Sequence, residues 1–133
     1  FKVDLQAMDW QTLVGRRAKR DAPDKGGWHM FLTAWTAHDI WSPISNPTMD
    51  TRGEKSVWFG WASDDVMPKL RDQFMRATDE GEKRKLAGQI HARAFEIGTH
   101  APLGEFQQPM AAGKNISGFF IHNGNIYWNL KKN

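Results

Sequence analysis

The side chains in this sequence best suited to chemistry are aromatic. Five of its seven tryptophans, Trp28, Trp35, Trp41, Trp58 and Trp61, fall between Gly26 and Trp61, and Asp39 stands between Trp35 and Trp41. Indole faces bury large areas and attract cations, and a carboxylate beside them meets an ammonium or guanidinium group. Recognition of a ligand by aromatic burial and a few oriented polar contacts is the chemistry this implies, with no covalent step. The five histidines, His29, His38, His91, His100 and His122, form no i, i+4 pair and no His-Glu-x-x-His run, so no metal site is expected. Asp64/Asp65 and Glu80/Glu82 are paired carboxylates, but each pair falls in the first turn of a predicted helix, where acidic groups stabilise without catalytic duty. A Gly-x-Ser-x-Gly elbow, a phosphate-cradling glycine loop and a cysteine nucleophile are all missing, and neither enzyme activity nor a cofactor is expected.

Each candidate also has a packing role open to it. Trp28 and Trp35 lie on an apolar run and fit a core, whereas Trp41, Trp58 and Trp61 lie outside regular elements and fit either a core or a ligand surface. Asp39 equally suits the cap of a turn.

The elements that must position these residues follow from periodicity. Residues 1–8 alternate like a half-buried strand. Asp9 then caps a helix with Trp10, Leu13 and Val14 at i, i+3, i+4 spacing, and Arg16-Arg17-Ala18-Lys19-Arg20 reads as its solvated end, where cations complement the dipole. After the turn-rich connector Asp21 to Gly27, the nearly continuous apolar run Trp28 to Trp35 reads as a strand buried on both faces. Strand, helix, strand is a βαβ unit, which predicts a parallel pair. Residues 36–62 show no sustained period and form a loop, with Ser42-Pro43 and Asn46-Pro47 disfavouring helix. Ser63 caps a helix striped by Val66, Met67, Leu70 and Phe74, and Thr78 or Asp79 caps another with Leu86, Ile90, Ala94 and Ile97 on one face. Residues 101–112 are extended, and Asn123-Gly124 centres a type I′ hairpin between residues 118–121 and 126–129.

Composition bounds the class. At 133 residues and 40% hydrophobic, the chain falls within one domain's range and can bury a core. Its 18 basic and 15 acidic residues are interspersed, which argues against a nucleic-acid face. Cysteine is absent, which excludes disulfides, and no apolar run approaches the ~20 residues that span a bilayer. An alternating pattern from the first residue suggests a truncated or processed product.

In order and spacing, several of these segments resemble the C-terminal portion of a periplasmic solute-binding protein of ABC transporters, the peptide/nickel/oligopeptide-binding class (family 5). The resemblance rests on Val3-Asp4-Leu5-Gln6 leading into Asp9-Trp10-Gln11-Thr12-Leu13, on Ala34-Trp35-Thr36, and on Trp58-Phe59-Gly60-Trp61-Ala62-Ser63-Asp64 before a helix. It extends to Glu82-Lys83-Arg84-Lys85-Leu86 through Phe95-Glu96 and to Ala101-Pro102-Leu103-Gly104, so it covers nearly the whole chain. The resemblance implies an α/β fold, the C-terminal lobe of a two-lobed (type II-like) binding protein, with a mixed sheet and flanking helices, incomplete in this chain. Residues 1–108 would be part of the second lobe, and 109–133 a tail crossing back to the first. It further implies capture of a peptide or related small solute, delivery to a membrane permease, and a periplasmic or extracellular, membrane-tethered location. Where the family's peptide binders place an acidic residue after a Trp-Thr pair, this sequence has Asp39, with Trp41-Ser42-Pro43 in place of the usual Asp-Pro-Asp wording. The expected ligand-facing residues are Trp35, Asp39, Trp41, Trp58 and Trp61. Phe119, Phe120, Tyr127 and Trp128 in the tail should fold back on the chain or meet a second copy. An aromatic-rich carbohydrate-binding module is the alternative class.

Overall fold

Two helices with the apolar stripes that the spacing predicts pack on each other and make the core. In the computed structural model, which describes residues 2–120, 122 and 126–133, helix α1 spans Trp10–Arg17, α2 Met67–Arg76 and α3 Glu80–Ile97. Two short strands, β1 (Ile116–Ser117) and β2 (Lys131–Lys132), form one antiparallel sheet. Met67 from α2 and Leu86, Ile90 and Ala94 from α3 are buried, with Leu70, Phe74 and Ile97 packed at the margin. The third wall comes from the expected loop: Met49, at the end of a 3₁₀ turn over Pro47–Met49, is buried in the same cluster. None of the described helices is long and apolar enough to cross a membrane.

The ends of the helices show why the chain stops and starts where it does. Asp79 caps α3 by accepting from the Glu82 N–H at 2.8 Å. Gly98 closes it at φ 68°, a left-handed conformation that favours glycine, and its N–H returns to the Ala94 carbonyl at 3.0 Å. At α2 the cap is Asp64 rather than Ser63. Its Oδ2 accepts from Val66 N at 3.0 Å and Met67 N at 2.7 Å, while Ser63 is drawn into an antiparallel bridge with Arg52. The helix therefore begins later than expected, and Val66 stays exposed instead of joining the stripe. The same carboxylate pairs with Arg93 on α3, whose Nε lies 3.1 Å away, and bonding to Arg93 holds the Asp64 carboxyl below the usual range.

The predicted parallel pair is not present among the described residues. Residues 2–8 and 28–35 run without ladder bonds, and Val3, Leu5, Met30 and Leu32 are exposed. The alternation in these segments specifies surfaces that need a neighbouring strand, and β-pairing is a non-local property that the segment cannot satisfy by itself. Helix α1 forms as expected under Asp9, whose carboxylate accepts from Thr12 N at 3.1 Å and Thr12 Oγ1 at 2.6 Å. In the tail, Ile116 faces Lys132 and Ser117 faces Lys131, a register symmetric about position 124. This pairing lies further from the turn than the predicted strands, and the Asn123-Gly124 turn itself lies outside the described residues. Phe119, Phe120, Tyr127 and Trp128 remain exposed.

Candidate ligand-recognition surface

Helix α1 returns to the aromatic segment through its basic end. From its last turn Arg16 donates twice to the Gly27 carbonyl, Nε at 3.1 Å and Nη2 at 2.9 Å, and Trp28 Nε1 donates to the Arg17 carbonyl at 3.0 Å. Gly27 is buried there, and a Cβ on it would lie 1.8 Å from the Asp21 carbonyl oxygen, so this close return admits only glycine. The basic run is the end of the helix, as its composition suggests, with Lys19 and Arg20 exposed, but Arg16 and Arg17 in the last turn are half-buried and clasp the aromatic segment.

A second closed segment, residues 50–64, brings the other rings. Gly53 N donates to the Ala62 carbonyl at 2.9 Å and Asp64 N to the Thr51 carbonyl at 3.0 Å, joining the two ends. Inside it the buried Asp50 carboxylate accepts from Arg52 Nε at 2.7 Å, Arg52 Nη2 at 2.8 Å and Val57 N at 3.1 Å, and Ser56 Oγ donates to its carbonyl at 2.9 Å. At the tip, Gly60 and Trp61 both take positive φ, 94° and 46°. Among the described residues Trp61 is the one non-glycine residue in that region, a conformation that costs on the order of 1 kcal/mol or more and persists only where its surroundings hold it.

The two segments meet as a continuous aromatic cluster. Trp28 stands edge-on to Phe31 with centroids 4.8 Å apart, and Trp58 lies 5.3 Å from Trp35, 5.2 Å from Phe59 and 6.2 Å from Phe31. Trp61 stands edge-on to Phe59 at 6.4 Å. The Arg17 guanidinium carbon is 4.6 Å from the Phe59 centroid, 5.2 Å from Trp10, 5.3 Å from Trp58 and 6.0 Å from Phe31. Its Nε is buried without a hydrogen-bond acceptor among the described residues, so ring faces are its electrostatic partners. Arg20 lies 4.2 Å from the Trp61 centroid and pairs loosely with Glu54 at 3.8 Å.

Of the five expected ligand-facing residues, the fold gathers three. Trp35, Trp58 and Trp61 belong to the cluster; Trp58 and Trp61 are half-buried, and Trp35 is 42% exposed. Asp39 and Trp41 lie apart, on consecutive turns closed by Asp39 N to the Thr36 carbonyl at 2.9 Å and Trp41 N to the His38 carbonyl at 3.5 Å. Trp41 is 84% exposed, and Asp39 is exposed without an ion pair among the described residues. The open turns thus offer a free indole and a free carboxylate, while the clustered rings already hold the chain's own cations. Arg17, Arg20 and Asp50 are the organising residues that the sequence reading missed. A signal for Arg17 existed, since it follows Trp10 by seven positions and so shares its helical face.

The Asp50 grip sets an acid limit. Hydrogen bonds from Arg52, opposed by burial and aided by the Val57 N–H, hold its carboxyl at about 2, against an ordinary 3.8. Because the folded value is depressed, the stabilisation is complete above the ordinary value and lost as pH falls through about 2. Urea unfolding at pH 7, 4 and 2.5 is expected to show a steeper loss below pH 4 for the native chain than for Asp50→Asn. Equal losses in the two would contradict the grip.

No protein-family model matches this sequence. The chain is similar to a probable peptide ABC transporter periplasmic-binding protein of Sinorhizobium fredii, 30% identical over 130 residues. That match covers 98% of this chain and 24% of the relative, so the chain spans about a quarter of the length of the protein it matches.

Proposed function

We propose that this chain is part of an extracytoplasmic solute-binding protein of an ABC importer, in the family 5 class, which encloses a peptide or related small solute between two lobes and delivers it to a membrane permease. The observation that carries this reading is the similarity, running through 98% of the chain, to a relative named as a periplasmic peptide-binding component. Residues 1–108 belong to the second lobe in this reading, and 109–133 cross back to the first. The exposed edges of residues 2–8 and 28–35 are what a sheet completed by the rest of such a protein would cover. The tail aromatics Phe119, Phe120, Tyr127 and Trp128 belong against the first lobe, and in its absence against a second copy.

Ligand contact falls to Trp35, Asp39, Trp41, Trp58 and Trp61. Asp39 is the group to meet a peptide ammonium, with the open ring of Trp41 two residues away. Trp35, Trp58 and Trp61 supply the ordered apolar wall, held in place by Arg17 and Arg20. Lobe closure excludes water and strengthens these few polar contacts.

Calorimetric titration of di- and tripeptides tests the proposal on this chain and on the longer protein it is assigned to. Binding to the longer protein should be on the order of a hundredfold tighter or more, because the chain alone carries half a cleft. Full affinity in the 133-residue chain would overturn the two-lobe reading, and no peptide binding by the longer protein would overturn the peptide reading. The exposed indole of Trp41 favours a carbohydrate-binding module as the second reading. Quenching of tryptophan emission by oligosaccharides but not by peptides would select it.

A further inference from the structure

The aromatic cluster carries its own cations, and these decide what a ligand can bring to it. The Arg17 guanidinium carbon lies 4.6 Å from the Phe59 centroid and 5.3 Å from that of Trp58, and Arg20 lies 4.2 Å from that of Trp61. Arg17 makes no ion pair among the described residues, so no carboxylate neutralises it. Arg20 has the exposed Glu54 at 3.8 Å. An indole attracts a cation through the negative face of its quadrupole. At Trp58 and Trp61 that attraction already serves the chain's own guanidinium groups. A second cation on the opposite face of such a ring meets a like charge about 10 Å away. Over Trp35 and Trp41 there is no arginine or lysine among the described residues.

The open carboxylate stands close to this wall. A turn closed by Asp39 N on the Thr36 carbonyl brings the Cα atoms of those two residues within about 7 Å, and Trp35 is one step of about 3.8 Å further. By Cα, Asp39 and Trp35 are thus no more than about 11 Å apart, the span of two or three extended residues. We infer that the site sorts peptides by side-chain charge: the ammonium falls to Asp39, while the wall of Trp35, Trp58 and Trp61 takes an uncharged side chain and rejects lysine and arginine. This rests on the peptide reading above and adds the class of peptide to it. An uncharged side chain buries area against the indoles and meets no repulsion. A basic one gives up hydration against rings whose cations are already in place. A carboxylate side chain is drawn by Arg17 but repelled by the negative ring faces. At low ionic strength the repulsion of a basic side chain is on the order of tenfold in affinity, and salt screens it.

The test is calorimetry of the longer protein at low salt with Ala-Arg-Ala and Ala-Ala-Arg, each against the same peptide with citrulline in place of arginine. Citrulline keeps the shape of arginine and loses its charge. At one position or the other, the citrulline peptide should bind at least about tenfold more tightly. Arg17→Met keeps the stem without the cation and should narrow that gap to about threefold or less. About 0.5 M NaCl should narrow it in the unaltered protein, a readout that stands even where Arg17→Met fails to fold. Equal binding within both pairs, tighter binding of the arginyl peptides, or a gap unmoved in folded Arg17→Met or in salt would overturn the inference and leave the peptide reading standing. No binding of any of these peptides overturns the peptide reading and the inference with it.

Discussion

Replacing Ile90 by alanine is expected to destabilise the chain by about 2–5 kcal/mol, the cost of removing a buried branched side chain and leaving a cavity behind. Ile90 has no exposed surface and sits where α2, α3 and the Met49 turn converge. The better helix propensity of alanine returns less than about 1 kcal/mol of this. Few apolar side chains are fully buried, so no other layer can take over the lost contacts. Urea unfolding followed by helical circular dichroism should show the loss, and hydrogen exchange should show protection falling in α2, α3 and residues 47–49 together. Ile90→Val, at about 0.5–1.5 kcal/mol, is the graded control. A loss under 1 kcal/mol in Ile90→Ala would mean that the helices are not held by this core.

The second large effect is expected at Arg17. Its half-buried guanidinium lies within about 6 Å of four ring centroids, and a cation on an aromatic face contributes from about 0.5 kcal/mol when exposed to about 2 kcal/mol when desolvated. Arg17→Ala removes both the charge and the stem packed against the rings, and should loosen α1 from Trp58 and Phe59. Tryptophan emission should shift to the red, with unfolding made easier by about 0.5–2 kcal/mol. Arg17→Lys keeps a cation without the planar stack, and Arg17→Met keeps the stem without the cation, so both should fall between native and alanine. An unchanged spectrum and a stability change within about 0.5 kcal/mol for Arg17→Ala would remove Arg17 as the organiser of the surface.

What the sequence made legible was local. Leu86, Ile90, Ala94 and Ile97 repeat at helical spacing under an Asp79 cap and end at Gly98, and each of these determinants acts within a few residues. The runs at 2–8 and 28–35 carry strand patterns as clear as any, but a strand forms only with a partner, and pairing is not written in the segment itself. The site divides the same way. Trp35, Trp58 and Trp61 were readable as an aromatic concentration, yet the cations that order them, Arg17 at the end of α1 and Arg20 just beyond it, come from across the connector. The Asp50–Arg52 pair has no period to betray it, being two residues apart in irregular chain. The positive φ of Trp61 had only Gly60 beside it as a hint.

Beyond the left-handed stop at Gly98, residues 101–112 are all exposed and make no backbone hydrogen bond among the described residues. Fully extended, such a stretch reaches about 40 Å, comparable to the diameter of a small domain. It acts as a tether that sets an effective concentration for the β1–β2 tail around the helical core instead of a fixed seat on it. Association of the tail with any surface within that radius is thereby nearly unimolecular, and a single proteolytic cut between Ala101 and Ala112 makes it bimolecular while leaving the Ile90 core intact.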